Sequence, residues 1–368
     1  MKKKNLCKTL LKTMCIVLGI LILALLAYIV YLYASYYRIE DNQELVVEAP
    51  VDDTTTGAAA VLATDTEYSA VTYNIGFGAY LPDYSFFMDG GTSSWAESPE
   101  TVQYAINGAG ELVKSLDPDF ALIQEVDLDA TRSYHTDEYE MLRNILPEYT
   151  TVFAQNYDSA FLFYPFTQPH GSSRAGLGLF SKYPVSSALR RSFPISTSFS
   201  KFFDLDRCYS VSRIPVDNAK ELVIFNLHMS AYGNSDAIRK GQIEMLCNDM
   251  AKEYEAGNYV LCGGDFNHDL KASEEDAENC ESWAFPFPRT ELPEHFAFCL
   301  DLLSSEEQAA LWNSARNADM EYVPGVTYTV TLDGFIISDN IECLSYENVN
   351  TGYSYSDHDP VKVEFMLK

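Results

Sequence analysis

Residues 259–270 read YVLCGGDFNHDL: a short apolar run, two glycines, and then Asp265, Asn267, His268 and Asp269 almost together. An apolar run with no polar alternation predicts a strand covered on both faces. Polar side chains crowded at the end of such a strand cost free energy unless they are solvated, paired or put to chemical use. Working outward, the pattern recurs. Short β-rich runs fall at 68–73, 120–124, 177–180, 209–214, 222–227, 335–337 and 361–365, with helical periodicity at 100–115, 139–146 and 238–255. The expectation is a layered α/β domain.

The residues at the ends of these runs are alike in kind. Asn74 follows the first run, Glu125 follows DFALIQ, His228 follows LVIFNL, and Asp265 and Asn267 follow YVLCGG. Asp333 stands ahead of GFII, and Asp357 and His358 in YSDHDPVKVEF precede the last run. Singly, each has a plain structural reading: Asn74 as a turn cap, His228 as a hydrogen-bonded strand-end histidine, Asp357 as a turn residue before Pro360. Ligand sites in layered sheets collect at strand ends, so the set can converge on one rim.

Taken in order, these segments resemble the endonuclease/exonuclease/phosphatase superfamily, over nearly all of the chain beyond residue 66. The resemblance implies a four-layer α/β/β/α sandwich and metal-dependent phosphoester hydrolysis. It makes Glu125 the chief Mg²⁺ or Mn²⁺ ligand, with Asn74 and Asp357 nearby, a hard-oxygen set suited to such ions. Asp265 would activate the attacking water, oriented by Asn267. His228 and His358 would donate to phosphoryl oxygens, with Asp333 fixing the His358 tautomer. The paired glycines would let backbone approach the phosphate. Arg174, in RAGLGLFSKYPV, is a candidate phosphate contact.

Charge and hydropathy set the surroundings. Net charge is −28, and residues 1–38 carry six cations and no acid, leaving 19 basic and 53 acidic residues beyond them. Such a field argues against passive nucleic-acid binding and favours divalent cations. Residues 13–37 are uncharged and as a helix would span ~37 Å, enough for a ~30 Å hydrocarbon core. Five lysines precede them, so residues 1–12 read as a cytoplasmic tail, 13–37 as a retained transmembrane anchor, and the rest as extracellular. Residues 38–66, acidic and rich in Thr, Ala and Pro, read as a flexible linker to one catalytic domain at 67–368.

Several signals stay open or fall away. Residues 265–276 imitate a calcium loop but hold Leu270 and Asp276 where it needs Gly and Glu. Arg239 and Gln242, one helical turn apart, read as structural. A Cys280–Cys299 bridge is possible by compartment alone, with unpaired thiols favoured. From Arg174 to Arg213 the chain is locally +5 with interleaved aromatics, which could grip a phosphate backbone or anionic headgroups, or form ordinary strand faces. Aromatic, Pro-containing loops at 159–173 and 281–298 cannot all be core. The substrate is therefore a nucleic acid or a lipid or small-molecule phosphodiester, with sphingomyelinase-like activity or a non-catalytic binding module as alternatives.

Overall fold

The apolar runs become the inner strands of two seven-stranded sheets. The computed structural model describes residues 2–52, 61–202, 205–231, 236–273 and 283–368, and it divides after Arg38 into two units. The first is a helix, α1 (Lys2–Ser35), of which Leu6–Ser35 is long and apolar enough to cross a membrane.

The second unit opens with β1 (Gln43–Glu44), β2 (Val47–Glu48) and β3 (Glu67–Asn74), followed by α2 (Pro99–Leu116), β4 (Phe120–Ala130) and α3 (Glu138–Ile145). Next come β5 (Thr150–Leu162), β6 (Gly171–Ser181), β7 (Ser187–Ser192), β8 (Cys208–Pro215), β9 (Glu221–His228) and α4 (Asp236–Glu255). The chain then runs through β10 (Tyr259–Asp265), β11 (Phe296–Phe298), α5 (Ser305–Ala310), β12 (Ala315–Arg316) and β13 (Thr329–Val330). It closes with β14 (Asp333–Ser338), β15 (Ile341–Asn348) and β16 (Val361–Leu367). One sheet is ordered β15-β16-β3-β4-β6-β5-β2, the other β1-β7-β8-β9-β10-β14-β11, and β12 pairs with β13.

Strand β4 shows why its sequence lacks polar alternation. Phe120 and Leu122 join the core that also holds Val223, Phe225, Leu261 and Phe335 of the opposite sheet. Ala121 and Ile123 point the other way, into a cluster with Ile106 and Val113 of α2 and Leu142 of α3. Both faces are covered, as period-two side chains between layers require. Each large side chain fully buried this way is worth ~1.5–3 kcal/mol. The α2 boundary is equally local in origin: the Ser98 side chain accepts the Thr101 N–H at 3.1 Å and Pro99 opens the helix. Between the sheets, Gln124 Nε2 donates to Asn226 Oδ1 at 2.8 Å, satisfying polar groups that would otherwise be stranded in the core.

Every strand and helix expected from the sequence is present. Strands β5, β7 and β15, and the short β1, β2, β11, β12 and β13, fall outside the expected runs. The end of β5 lies within the aromatic run expected as a loop, and half of β15 is exposed, with little apolar patterning.

The expected flexible linker needs correction, because its described residues are docked. The Ile39 N–H donates to Asp206 Oδ2 at 2.6 Å, β1 pairs with β7, β2 pairs with β5, and Leu62 is fully buried. The two short strands cap sheet edges through backbone hydrogen bonds, which leave almost no hydrophobic signature in so few residues. Residues 53–60 lie outside the described residues.

Candidate active site

The site forms where the carboxyl ends of two parallel strand pairs meet. In one sheet β3 and β4 run parallel, with Asn74 opposite Gln124; in the other β9 and β10 run parallel, with His228 opposite Asp265. On its other side Asp265 faces Asp333 of β14, so three polar side chains occupy one cross-strand row. Glu125 arrives differently. The β4–β6 register slips between Ile123 and Val126, and Glu125 has a left-handed φ of 55°, so a bulge re-aims its side chain. His358 enters from the turn ahead of β16.

Asp265 is the hub. Its Oδ2 accepts Asn74 Nδ2–H at 3.0 Å and lies 3.5 Å from His228 Nε2 and 3.9 Å from His358 Nε2. Its Oδ1 accepts the Asn267 backbone N–H at 2.8 Å, and Asn267 Nδ2 donates to the Met229 carbonyl at 2.9 Å. Asn74 also reaches Glu125 Oε1 at 3.3 Å, while its own Oδ1 accepts the Gly76 N–H at 3.0 Å. This fixes the amide orientation, with the NH₂ toward the two carboxylates. His358 Nδ1 pairs with Asp333 Oδ2 at 2.7 Å, and Asp333 Oδ2 accepts Ser314 Oγ–H at the same distance. Glu125, His228, Asp265, Asn267, Asp357 and His358 line a cavity of about 420 Å³, with Asn74 and Asp333 behind its wall.

Burial sets the protonation states. It pushes the Asp265 carboxyl up to about 7, opposed by His358 and helped by Asp333. Burial also lifts Asp357 to about 6, with His358 and Arg316 pulling down and Glu125 pushing up. For His358 burial disfavours the charge, yet Asp333, then Asp265 and Asp357, hold it well above the ordinary histidine value. His228 also lies near Asp265 and Glu125, but burial, with Arg207 and His358, keeps it well below. One imidazolium and one neutral imidazole thus flank the same carboxylate.

The donor set fits a hard divalent cation. Glu125 and Asp357 lie close enough to raise the proton affinity of Asp357, a repulsion that a bound cation relieves. Asp265, Asp333 and His358 also offer ligand atoms within 4.8 Å of one another. There, however, the Asp333 oxygen is already shared between His358 and Ser314. The oxygen-only pair Glu125 and Asp357 is the better match for Mg²⁺ or Mn²⁺.

Other sequence candidates fall outside the site. Arg174 is half-exposed, paired with Asp129 at 3.1 Å and absent from the cavity wall. His268 is buried against Phe287 with Nδ1 on the Phe266 carbonyl at 2.6 Å, and burial lowers it to about 4. Asp269 caps a turn through the Lys271 and Ala272 N–H groups. Gln242 binds the Ser230 N–H and the Pro194 carbonyl, holding the loop after His228. Much of the local positive charge is spent internally: Lys182 pairs with Asp117, Arg191 with Asp41 and Asp249, and Arg213 with Glu221 and Glu253. The glycines serve packing rather than phosphate approach. A Cβ on Gly264 would sit 2.1 Å from the Leu227 carbonyl oxygen, and one on Gly263 2.4 Å from the Phe335 ring. Cys280 lies outside the described residues.

The sequence reading missed the rest of the wall. Arg132, bidentate on Asp127, lies 3.7 Å over the Phe77 ring, and Arg316 donates to the carbonyls of Tyr80, Leu81, Asn317 and Met320. Trp283, Asn156 and Arg207 also line it. None follows an apolar run in the recurring pattern, so position in sequence gave no signal.

The sequence profile of the endonuclease/exonuclease/phosphatase family matches residues 71–302. The chain belongs to this family. It is therefore a phosphoric ester hydrolase by descent, on a family architecture that generally works with a divalent metal. No curated protein sequence matches it. Solved structures share the fold at low identity. A Bacteroides vulgatus endonuclease/exonuclease/phosphatase is 17% identical (TM-score 0.54), covering 83% of this chain and all of its own. D. rerio TDP2, solved with a single-strand DNA product, is 14% identical (TM-score 0.54; 82% of this chain, 99% of its own). ANGEL2, a 2′,3′-cyclic phosphatase solved with adenosine-2′,3′-vanadate, is 13% identical (TM-score 0.55; 82% and 96%).

Proposed function

We propose that this family member is a membrane-anchored, outward-facing phosphodiesterase that depends on Mg²⁺ or Mn²⁺. The observation that carries this reading is the Asp265 carboxylate, with Oδ2 between a charged and a neutral imidazole in the wall of an open cavity. Glu125 and Asp357 would hold the cation, whose contribution is to polarise the phosphoryl group. Asp265, poised at about 7, takes the proton of the attacking water. Asn74 and the Asn267 N–H hold that carboxylate in position. His358, kept protonated by Asp333, donates from Nε2 to the phosphoryl oxygen on which charge builds. His228 supplies a neutral imidazole on the opposite side.

Two observations bear on the substrate. The acidic chain and internally paired basic residues weigh against a long polyanion. The α1 helix, with the exposed Phe163, Tyr164 and Phe166, favours a lipid or headgroup phosphodiester as the second reading over a nucleic acid. The test is hydrolysis of bis(4-nitrophenyl) phosphate by the full chain with Mg²⁺ or Mn²⁺, beside supercoiled plasmid. Asp265→Asn should reduce the rate by ~10²–10⁴. An undiminished metal-dependent rate in that variant overturns the mechanism, and nicked plasmid restores the nuclease reading.

A further inference from the structure

The cavity carries two buried polar side chains that the hydrolytic machinery leaves unused. Asn156 is 1% exposed, and neither its Nδ2 nor its Oδ1 has a hydrogen-bond partner among the described residues. Arg207 is 6% exposed and its Nε and Nη1 have none among the described residues. Both line the same cavity as Asp265 and His228, and the Arg207 charge is felt by His228. Buried donors and acceptors left unmet are costly, so groups held this way are candidates for an incoming ligand.

The placement is built into the fold. The β5–β6 register slips between Gln155 and Tyr157, which makes Asn156 the extra residue of a bulge. Arg190, fully buried, donates Nε–H to the Gln155 carbonyl at 2.7 Å and Nη2–H to the Asp206 carbonyl at 2.8 Å. One guanidinium therefore pins the residue before Asn156 and the residue before Arg207. Neighbouring cations are committed, Arg132 to Asp127 and Arg316 to backbone carbonyls.

We propose that Asn156 and Arg207 form a specificity subsite that takes an anionic group flanked by a hydroxyl, on the non-reacting part of a small phosphoester. The donor inventory sets this chemistry. A guanidinium offers only donors and so takes an anionic oxygen. The amide of Asn156 has an acceptor as well, and its Oδ1 requires an O–H that a fully ionised phosphate lacks. A cavity of about 420 Å³ suits a molecule the size of a sugar bisphosphate. The inference rests on the hydrolase reading above and adds the substrate class to it.

The test is calorimetry on the full chain in non-ionic micelles with Mg²⁺, using the Asp265→Asn form so that no turnover occurs. Fructose 1,6-bisphosphate is expected to bind at least tenfold tighter than fructose 6-phosphate, a margin that Arg207→Ala removes and Arg207→Lys partly restores. Asn156→Leu should weaken both ligands alike, and Arg174→Ala neither. Unaltered thermal unfolding of each variant confirms the fold. A second-phosphate margin in solution points to a soluble ligand. The same margin seen only with vesicles of phosphatidylinositol 4-phosphate over phosphatidylinositol points to a lipid headgroup. Equal affinity for both sugars, unmoved by Arg207→Ala, overturns the subsite and leaves water as its occupant. Equal loss of both in Arg207→Ala also overturns it, by placing Arg207 on the reacting phosphate. Hydrolysis of bis(4-nitrophenyl) phosphate by the unmodified chain is read separately: its absence sinks the hydrolase reading, while the binding margin still decides the subsite.

Discussion

Asp333 accepts the Nδ1–H of His358 at 2.7 Å while standing opposite Asp265 in the β10–β14 register. One buried carboxylate thus sustains the imidazolium and raises the proton affinity of the Asp265 carboxylate beside it. Asp333→Asn removes both effects. The prediction is a fall in kcat of ~10²-fold or more with little change in KM, because the lost donor acts on charge that develops during reaction. His358 must be protonated to donate, so activity falls as pH rises through its pKa. Without Asp333 that pKa drops, and the alkaline limb of the pH–rate profile should move to lower pH. A limb that stays in place assigns it to another group.

Metal binding should release protons in a defined window. Of the two carboxylates assigned to the cation, Asp357 is raised to about 6 in the metal-free protein, so it is largely protonated at pH 5.5 and ionised above pH 8. A cation between the carboxylates requires the ionised forms. Affinity for Mg²⁺ or Mn²⁺ should therefore climb with pH up to about 7 and then level off. Calorimetry in buffers of different ionisation enthalpy should count somewhat less than one proton released at pH 5.5 and nearly none at pH 8.5. Proton release independent of pH would place the cation elsewhere.

The contrast between legible and illegible residues follows from how each is positioned. Asp265, His228, Asn74 and Glu125 sit where an apolar run stops, a change in pattern visible in one dimension. Their convergence comes from parallel pairing of β3 with β4 and β9 with β10. Arg207 and Asn156 owe their place to a bulge and to Arg190, which joins segments far apart in the chain. No local pattern announces that. The glycines were legible as constrained positions but not as to cause: only the register shows that Gly264 abuts the β9 backbone rather than a ligand.

That register makes Gly264 a sharp stability probe. It has a φ of 147°, and an added Cβ would fall 2.1 Å from the Leu227 carbonyl oxygen, so Ala there must part β9 from β10. Gly264→Ala should cost ~4 kcal/mol or more in urea unfolding. Gly325→Ala has a φ of 76° and nothing within 4 Å of the new Cβ, so it should cost only ~1 kcal/mol of backbone strain. Comparable losses would show that strain, not collision, governs Gly264.

The docked segment after Arg38 sets where the catalytic unit begins. Ile39 and Glu40 supply carbonyls to Arg190, Asp41 accepts the Ser192 N–H at 2.8 Å, and β1 and β2 cover the outer edges of β7 and β5. A fragment starting at Glu67 leaves Arg190 buried with unmet donors and bares two strand edges. It should lose roughly 3 kcal/mol of stability relative to a fragment starting at Ile39 and should self-associate. Because Arg190 also pins Gln155 and Asp206, the shorter fragment should bind small phosphorylated ligands more weakly even where it remains folded. Urea unfolding with light scattering on the two fragments checks this directly. Equal stability would return residues 39–66 to the role of a tether.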